Sequence, residues 1–198
     1  MSANDSYWHF RFAAAVAAIL LLDYPLVATV VPRLGLEDLA KEAAIVVQGR
    51  VLGHHSAWDA AGKFIWTHYE IEVSDTIKGS HPRVVTVSEP GGVVGSIGMQ
   101  IAGVTRYADK EEVIVFLHRA PSGRWRTYGY GQGKFSVLPL VHGRKTVRAN
   151  TAGLLLVDRS APRGPGRMTS VSPLRRLDGM ELEQFKGEVR TALGRGAR

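Results

Sequence analysis

Apolar and polar residues alternate along two long stretches, Ala44–Val51 and Phe64–Ile77, with a polar bend over His54–Lys63 between them. A period of two predicts a β-strand with one buried face. The first strand sets Ile45, Val47, Gly49 and Val51 on one side and Gln48, Arg50 and Leu52 on the other. The second groups Ile65, Tyr69, Ile71 and Val73, with Phe64, Trp66, His68, Glu70 and Glu72 opposite. Val84–Val87 and Glu112–Leu117 continue the strand pattern, and Arg124–Tyr130 and Lys134–Leu140 read as a hairpin about Gly131-Gln132-Gly133. Lys145–Arg148 and Leu154–Val157 are expected as short edge strands.

Two segments switch to the helical period. In Leu36–Ala43 the residues Leu36, Leu39, Ala40 and Ala43 share a stripe, and Glu37 and Asp38 suit the first turn. In Glu181–Leu193 the residues Leu182, Phe185, Val189 and Leu193 form a docking face. The expected fold is mainly β: a small closed OB-like antiparallel barrel with a short N-terminal helix and a C-terminal helix. Closure removes exposed sheet edges, and glycines such as Gly49 and Gly53 allow barrel corners.

Before these elements lies Phe12–Leu22, an apolar run of 11 residues after Arg11, ended by Asp23 and Pro25. That length suits a signal-peptide core and falls short of the ~20 residues a bilayer span needs. The reading is a signal peptide at 1–29, cut after Ala28 or Thr29, a β-barrel domain at 36–158, and a basic linker with a C-terminal helix at 159–198. A secreted or periplasmic location follows, with membrane attachment only through an uncleaved leader.

Composition narrows the chemistry. The 198 residues include no cysteine, which excludes disulfides, thiolate nucleophiles and cysteine-held zinc. The formal charge is +7, and from Arg159 onward nine Lys/Arg face four Asp/Glu. Such a tail attracts anionic lipid, acidic polysaccharide or nucleic acid. Export argues against nucleic acid as the client.

The runs AAIVVQGRVLGHHSAWD, FIWTHYEIEVSDTIKG, EPGGVVGSIGMQIAGV, EEVIVFLHR and GQGKFSV resemble a family of uncharacterised secreted bacterial proteins over Leu36–Leu140. The shared marks are a strand ending in V-x-G-x-V, a lysine-glycine turn, a P-G-G loop and a G-x-G-K-F turn. The strand order also resembles, more distantly, the netrin-like barrel of the tissue inhibitors of metalloproteinases. The first resemblance implies a fold and no reaction. The second implies an inhibitor whose N-terminal cysteine holds the target's zinc, a device that this cysteine-free chain lacks.

Candidate sites are few. His54, His55 and His68, with Glu70 near in sequence, are the residues able to ligate zinc or copper, although neighbouring histidines on a strand face opposite ways. Solvent-facing histidines beside a turn are the plainer account. Ser96 lies in G-S-I-G, which lacks the spacing of a nucleophile elbow, so no catalytic residue is assigned. Gly131-Gln132-Gly133-Lys134 could cradle an anion, but without a following helix it reads as a tight turn with Lys134 exposed.

Two surfaces suit a macromolecule. One is aromatic and basic, drawn from Trp58, Trp66, Trp125, Tyr128 and Tyr130 with Arg50, Arg124 and Arg126. The other is the loop Gly91–Val104, which has five glycines and no charge and carries Val93, Val94, Ile97 and Met99. It reads equally as a docking loop or as a lid on one barrel mouth. The expected function is an exported, non-enzymatic binding module for a secreted protease or other envelope macromolecule, with no cofactor. The alternatives are a metal-dependent hydrolase built on the histidines and a structural envelope protein.

Overall fold

The computed structural model describes residues 29–151, 153–158 and 168–195. The leader as far as Ala28 and most of the linker expected from the sequence lie outside them, whereas Thr29, the second of the two expected cut positions, is the first residue of a strand. The fold is mainly β. Its strands are β1 (Thr29–Pro32), β2 (Ile45–Trp58), β3 (Ile65–Lys78), β4 (Val84–Pro90), β5 (Gly92–Val94), β6 (Ile97–Met99), β7 (Glu112–Arg119), β8 (Trp125–Thr127), β9 (Lys134–Pro139), β10 (Lys145–Ala149), β11 (Leu154–Val157) and β12 (Met168–Thr169). Two α-helices, α1 (Leu36–Glu42) and α2 (Leu182–Arg195), accompany them.

Seven strands form one sheet in the order β10-β9-β7-β2-β3-β4-β8, and β8 pairs again with β7. That second pairing closes β2, β3, β4, β8 and β7 into a ring of 5 strands. All ring contacts are antiparallel except β4 with β8, which is parallel through Val87 and Trp125. β1, β11 and β12 form a separate sheet, and β5 and β6 a separate hairpin.

β2 is longer than the alternation suggested. It runs through His54 and His55 to Trp58, and the bend shrinks to the residues around Asp59–Phe64. Register shifts between Val46 and Val47, Gln48 and Gly49, and Val51 and Gly53 coil it around the ring. Asp59 fixes the bend by accepting the backbone N–H groups of Lys63 and Phe64 at 2.8 and 3.2 Å.

The expectation of one buried face fails at the centre of the sheet. Val47, Val51, Ile71, Val87, Val115 and Leu117 fill the ring interior. Val46, Ile114 and Phe116 point outward and are buried as well, under Leu39 of α1 and Phe185 of α2. Helices on the outer face explain why Val113–Leu117 is apolar without a break. The Lys78 ammonium ties α1 to the sheet, donating to the carbonyls of Ala40 and Lys41 at 2.8 and 2.9 Å. A cation on those carbonyls also complements the negative end of the helix.

β8 and β9 are not a hairpin. They lie in line along one edge of β7, β8 opposite Leu117–Arg119 and β9 opposite Val113–Val115. Between them the chain leaves the edge in a tight turn, Tyr130–Gly133, and returns. Its buried Gln132 secures the entry to α1, accepting from the Leu34 N–H at 3.0 Å and donating to the Pro32 carbonyl at 2.9 Å.

Candidate functional site

Across β2, β3 and β4 the outer face of the ring carries a row of polar residues. His55 stands opposite His68, and His68 opposite Ser88. The imidazoles of His55 and His68 lie 5.1 Å apart, centre to centre. Ser88 Oγ is hydrogen-bonded to His68 Nδ1 at 2.8 Å. Burial lowers the His68 pKa, and the charges of His55 and Arg124 lower it further.

Trp66 is the next outward residue of β3, half-buried between two guanidinium groups. Arg124 lies 4.9 Å from its ring centre and Arg126 5.6 Å. Arg124 comes from the turn between β7 and β8, and its charge reaches Asp59 in the β2–β3 bend. Thus two connections and one strand face converge on Trp66. Of the expected aromatic surface, Trp58 is exposed at the same bend, beside an exposed Phe64 that the sequence reading had not included.

Trp125 and Tyr128 belong elsewhere. Trp125 pairs with Val87 and packs against the ring core, with Arg119 stacked 4.3 Å away. Tyr128 packs on the helix-side core and meets His118 edge-on at 5.6 Å. Tyr128 and His118, with Leu34, Glu89, Arg126 and Tyr130, border a cavity of about 260 Å³. Arg126 therefore touches both the Trp66 face and this cavity. Burial and the Arg126 charge lower the His118 pKa, which favours a neutral ring.

The Gly91–Val104 segment divides. Its base is fixed to the ring: the Gly91 N–H donates to the Ile65 carbonyl at 2.8 Å and Thr67 Oγ1 donates to the Gly91 carbonyl at 2.6 Å. Beyond that base, β5 and β6 pair with each other. Val93 and Ile97 are 66% and 53% exposed, whereas Val94 and Met99 are half-buried. The hairpin projects over the end of the ring that holds His54 and Arg106.

His54 is directed away from the other two histidines. Its register partner is Tyr69, on the inward side, and it pairs with Asp109 at 2.7 Å. His55 and His68 are brought together, and a three-histidine centre is not formed. Among the described residues no group of three or more His, Asp or Glu side chains converges as a metal cage.

Several buried polar groups escaped the sequence reading. Glu89 is 3% exposed and faces the ring interior, where burial raises its pKa against the pull of the Thr127 N–H and Arg126. Tyr107 donates or accepts with Thr127 Oγ1, and burial drives its phenol well above the ordinary range. Lys134, expected on the surface, is 4% exposed and bonds Glu111 at 2.7 Å. Burial opposes the Glu111 charge, but hydrogen bonds from Lys134 and Ser136 outweigh it and hold the carboxyl below its usual range. The Lys134 amine is thus engaged inside the protein, with the Arg106 carbonyl as its second acceptor at 2.7 Å. Parity offered a signal for Glu89, since Val85, Val87 and Glu89 fall on one side of β4.

No protein-family model matches the chain, and no curated protein is similar to it in sequence.

Proposed function

We propose that this chain is an exported, OB-like, non-enzymatic binding module whose outer ring face takes an envelope macromolecule, an acidic glycan fitting best. Taken in chain order, the ring strands pair 1-2-3-5-4 and back to 1, with the third and fifth parallel. This is the Greek-key order of an OB barrel, and it supports the resemblance to small secreted barrels. In such barrels the second and third strands and the flanking loops receive extended ligands.

The observation that carries the reading is Trp66, flanked by Arg124 and Arg126 at the meeting of the β2–β3 and β7–β8 connections. A flat aromatic surface stacks on a sugar face, and the guanidiniums pair with carboxylates. The net charge of +7 favours the encounter with a polyanion. Affinity electrophoresis in gels containing polygalacturonate, with dextran as the uncharged control, tests it. Retardation by the acidic polymer alone, weakened at least about tenfold in Trp66→Ala and Arg124→Ala, is the expected result. Equal mobility in both gels overturns the acidic-glycan assignment.

A further inference from the structure

We propose that His55 and His68 form a two-imidazole chelate for a divalent transition-metal ion, zinc or copper, on the outer face of the ring. The inference is independent of the glycan reading, because it rests on neither Trp66 nor the arginines. The two residues are direct cross-strand partners in a regular stretch of the β2–β3 ladder, past the last register shift at Val51/Gly53. Neither is enclosed by other protein groups: His55 is exposed and His68 is partly so.

Their spacing suits a shared ion. Ring nitrogens about 2.0–2.1 Å from a tetrahedral zinc set two imidazole centres about 5 Å apart. The observed separation is 5.1 Å, with the ring planes inclined at 36°. The pair therefore approaches a chelating distance without any movement of the backbone.

The third element is Ser88. Its hydroxyl, on a residue 3% exposed, is bonded to Nδ1 of His68 at 2.8 Å. A ring held through Nδ1 turns Nε2 outward as the ligating atom, which is how outer partners orient metal-bound histidines. With two protein ligands, the remaining coordination positions are left to water or to an exogenous donor. Arg124 puts a positive charge on the same face and restrains the affinity.

The test uses the full chain and two probes. Calorimetric titration with Zn²⁺ is expected to give one ion per chain, with affinity reduced at least about tenfold in His55→Asn and in His68→Asn. His54→Asn, which removes the imidazole paired with Asp109, is expected to bind as the parent does. Ser88→Ala is expected to weaken binding by roughly tenfold while the thermal midpoint stays close to the parent's, as fits a positioning residue. Paramagnetic resonance of the unmutated chain with one equivalent of Cu²⁺ counts the ligating nitrogens without any substitution. Two imidazole nitrogens support the site. Fewer than two, no Zn²⁺ uptake, or a loss as large in His54→Asn as in His68→Asn overturns it.

Discussion

The Glu89 carboxylate on β4 accepts the backbone N–H of Thr127 on β8 at 2.7 Å, inside the ring and beside its parallel seam. That seam has a single register pair, Val87 with Trp125, so the side chain supplies a bond that a longer ladder would have provided. Arg126 adds a second contact to the other carboxylate oxygen at 3.3 Å. Glu89→Ala leaves the buried Thr127 N–H without its acceptor and is expected to destabilise the fold by about 2–3 kcal/mol. Glu89→Gln keeps an acceptor oxygen and removes a charge that burial disfavours, so its cost is expected below about 1 kcal/mol. Urea denaturation of the three proteins at neutral pH checks the order.

The two ends of the acidic range should expose opposite linkages. The folded pKa of Glu89 is raised, so its stabilising contribution is full below the ordinary glutamate pKa and is lost as pH rises through the folded value. The advantage of the parent over Glu89→Gln should therefore shrink from acid toward neutral pH. Asp75 carries the other sign. Its pKa is lowered, chiefly by the hydrogen bond from Lys186 at 2.9 Å, so its contribution is present above the ordinary aspartate pKa. It is lost as pH falls through the lowered folded value. Asp75→Asn should flatten that acid limb and leave the Glu89 limb intact, as chemical denaturation across a pH series would record.

The strand pattern was legible wherever one strand face meets water. Residues Ile65–Ile71 alternate buried and less buried as their hydropathy does, because the outer side of β3 lies open. Legibility failed where packing is two-sided or where polar groups are enclosed. Val46 and Phe116 alternate with ring-interior residues yet are equally buried, and only the docking of α1 and α2 accounts for that. Lys134 looked like a surface residue because its partner, Glu111, is 23 positions away and β7 intervenes. The Trp66 cluster is half visible: the sequence shows its residue types, but not that the strand of Trp125 turns that ring inward. The register that joins His55 to His68 is set at the β2–β3 bend, and the hydropathy pattern placed that bend over His54–Lys63, too early to show both residues inside the ladder.

Glycines in the turn between β8 and β9 and in α2 should respond oppositely to alanine. At Gly133 an added Cβ would overlap the Tyr128 carbonyl oxygen, a backbone atom that cannot swing aside. Gly133→Ala must therefore displace the turn that carries Gln132, and a loss exceeding about 2 kcal/mol is expected. Gly187 sits in the middle of α2 with open space where its Cβ would be. Gly187→Ala should stabilise by about 0.5–1 kcal/mol through helix propensity and reduced unfolded-state freedom. Thermal midpoints moving in opposite directions would meet the expectation, and a gain at Gly133 would refute the crowding argument.

The hairpin of β5 and β6 combines an anchored base with an apolar tip, and the two parts predict different phenotypes. Thr67 is 4% exposed and its hydroxyl holds the Gly91 carbonyl, so Thr67→Val removes a buried bond and should lower stability by about 1 kcal/mol or more. Val93 and Ile97 meet mainly solvent at the tip. Replacing both with serine takes nothing from the ring core, and the unfolding midpoint is expected within about 0.5 kcal/mol of the parent. If the tip contributes to capture of a macromolecule, the same double substitution lowers retention in a polygalacturonate gel while Thr67→Val, in its folded fraction, does not. A double substitution that unfolds the chain would instead make Val93 and Ile97 part of the packing. That outcome would remove the hairpin from the contact surface and leave Trp66 as its centre.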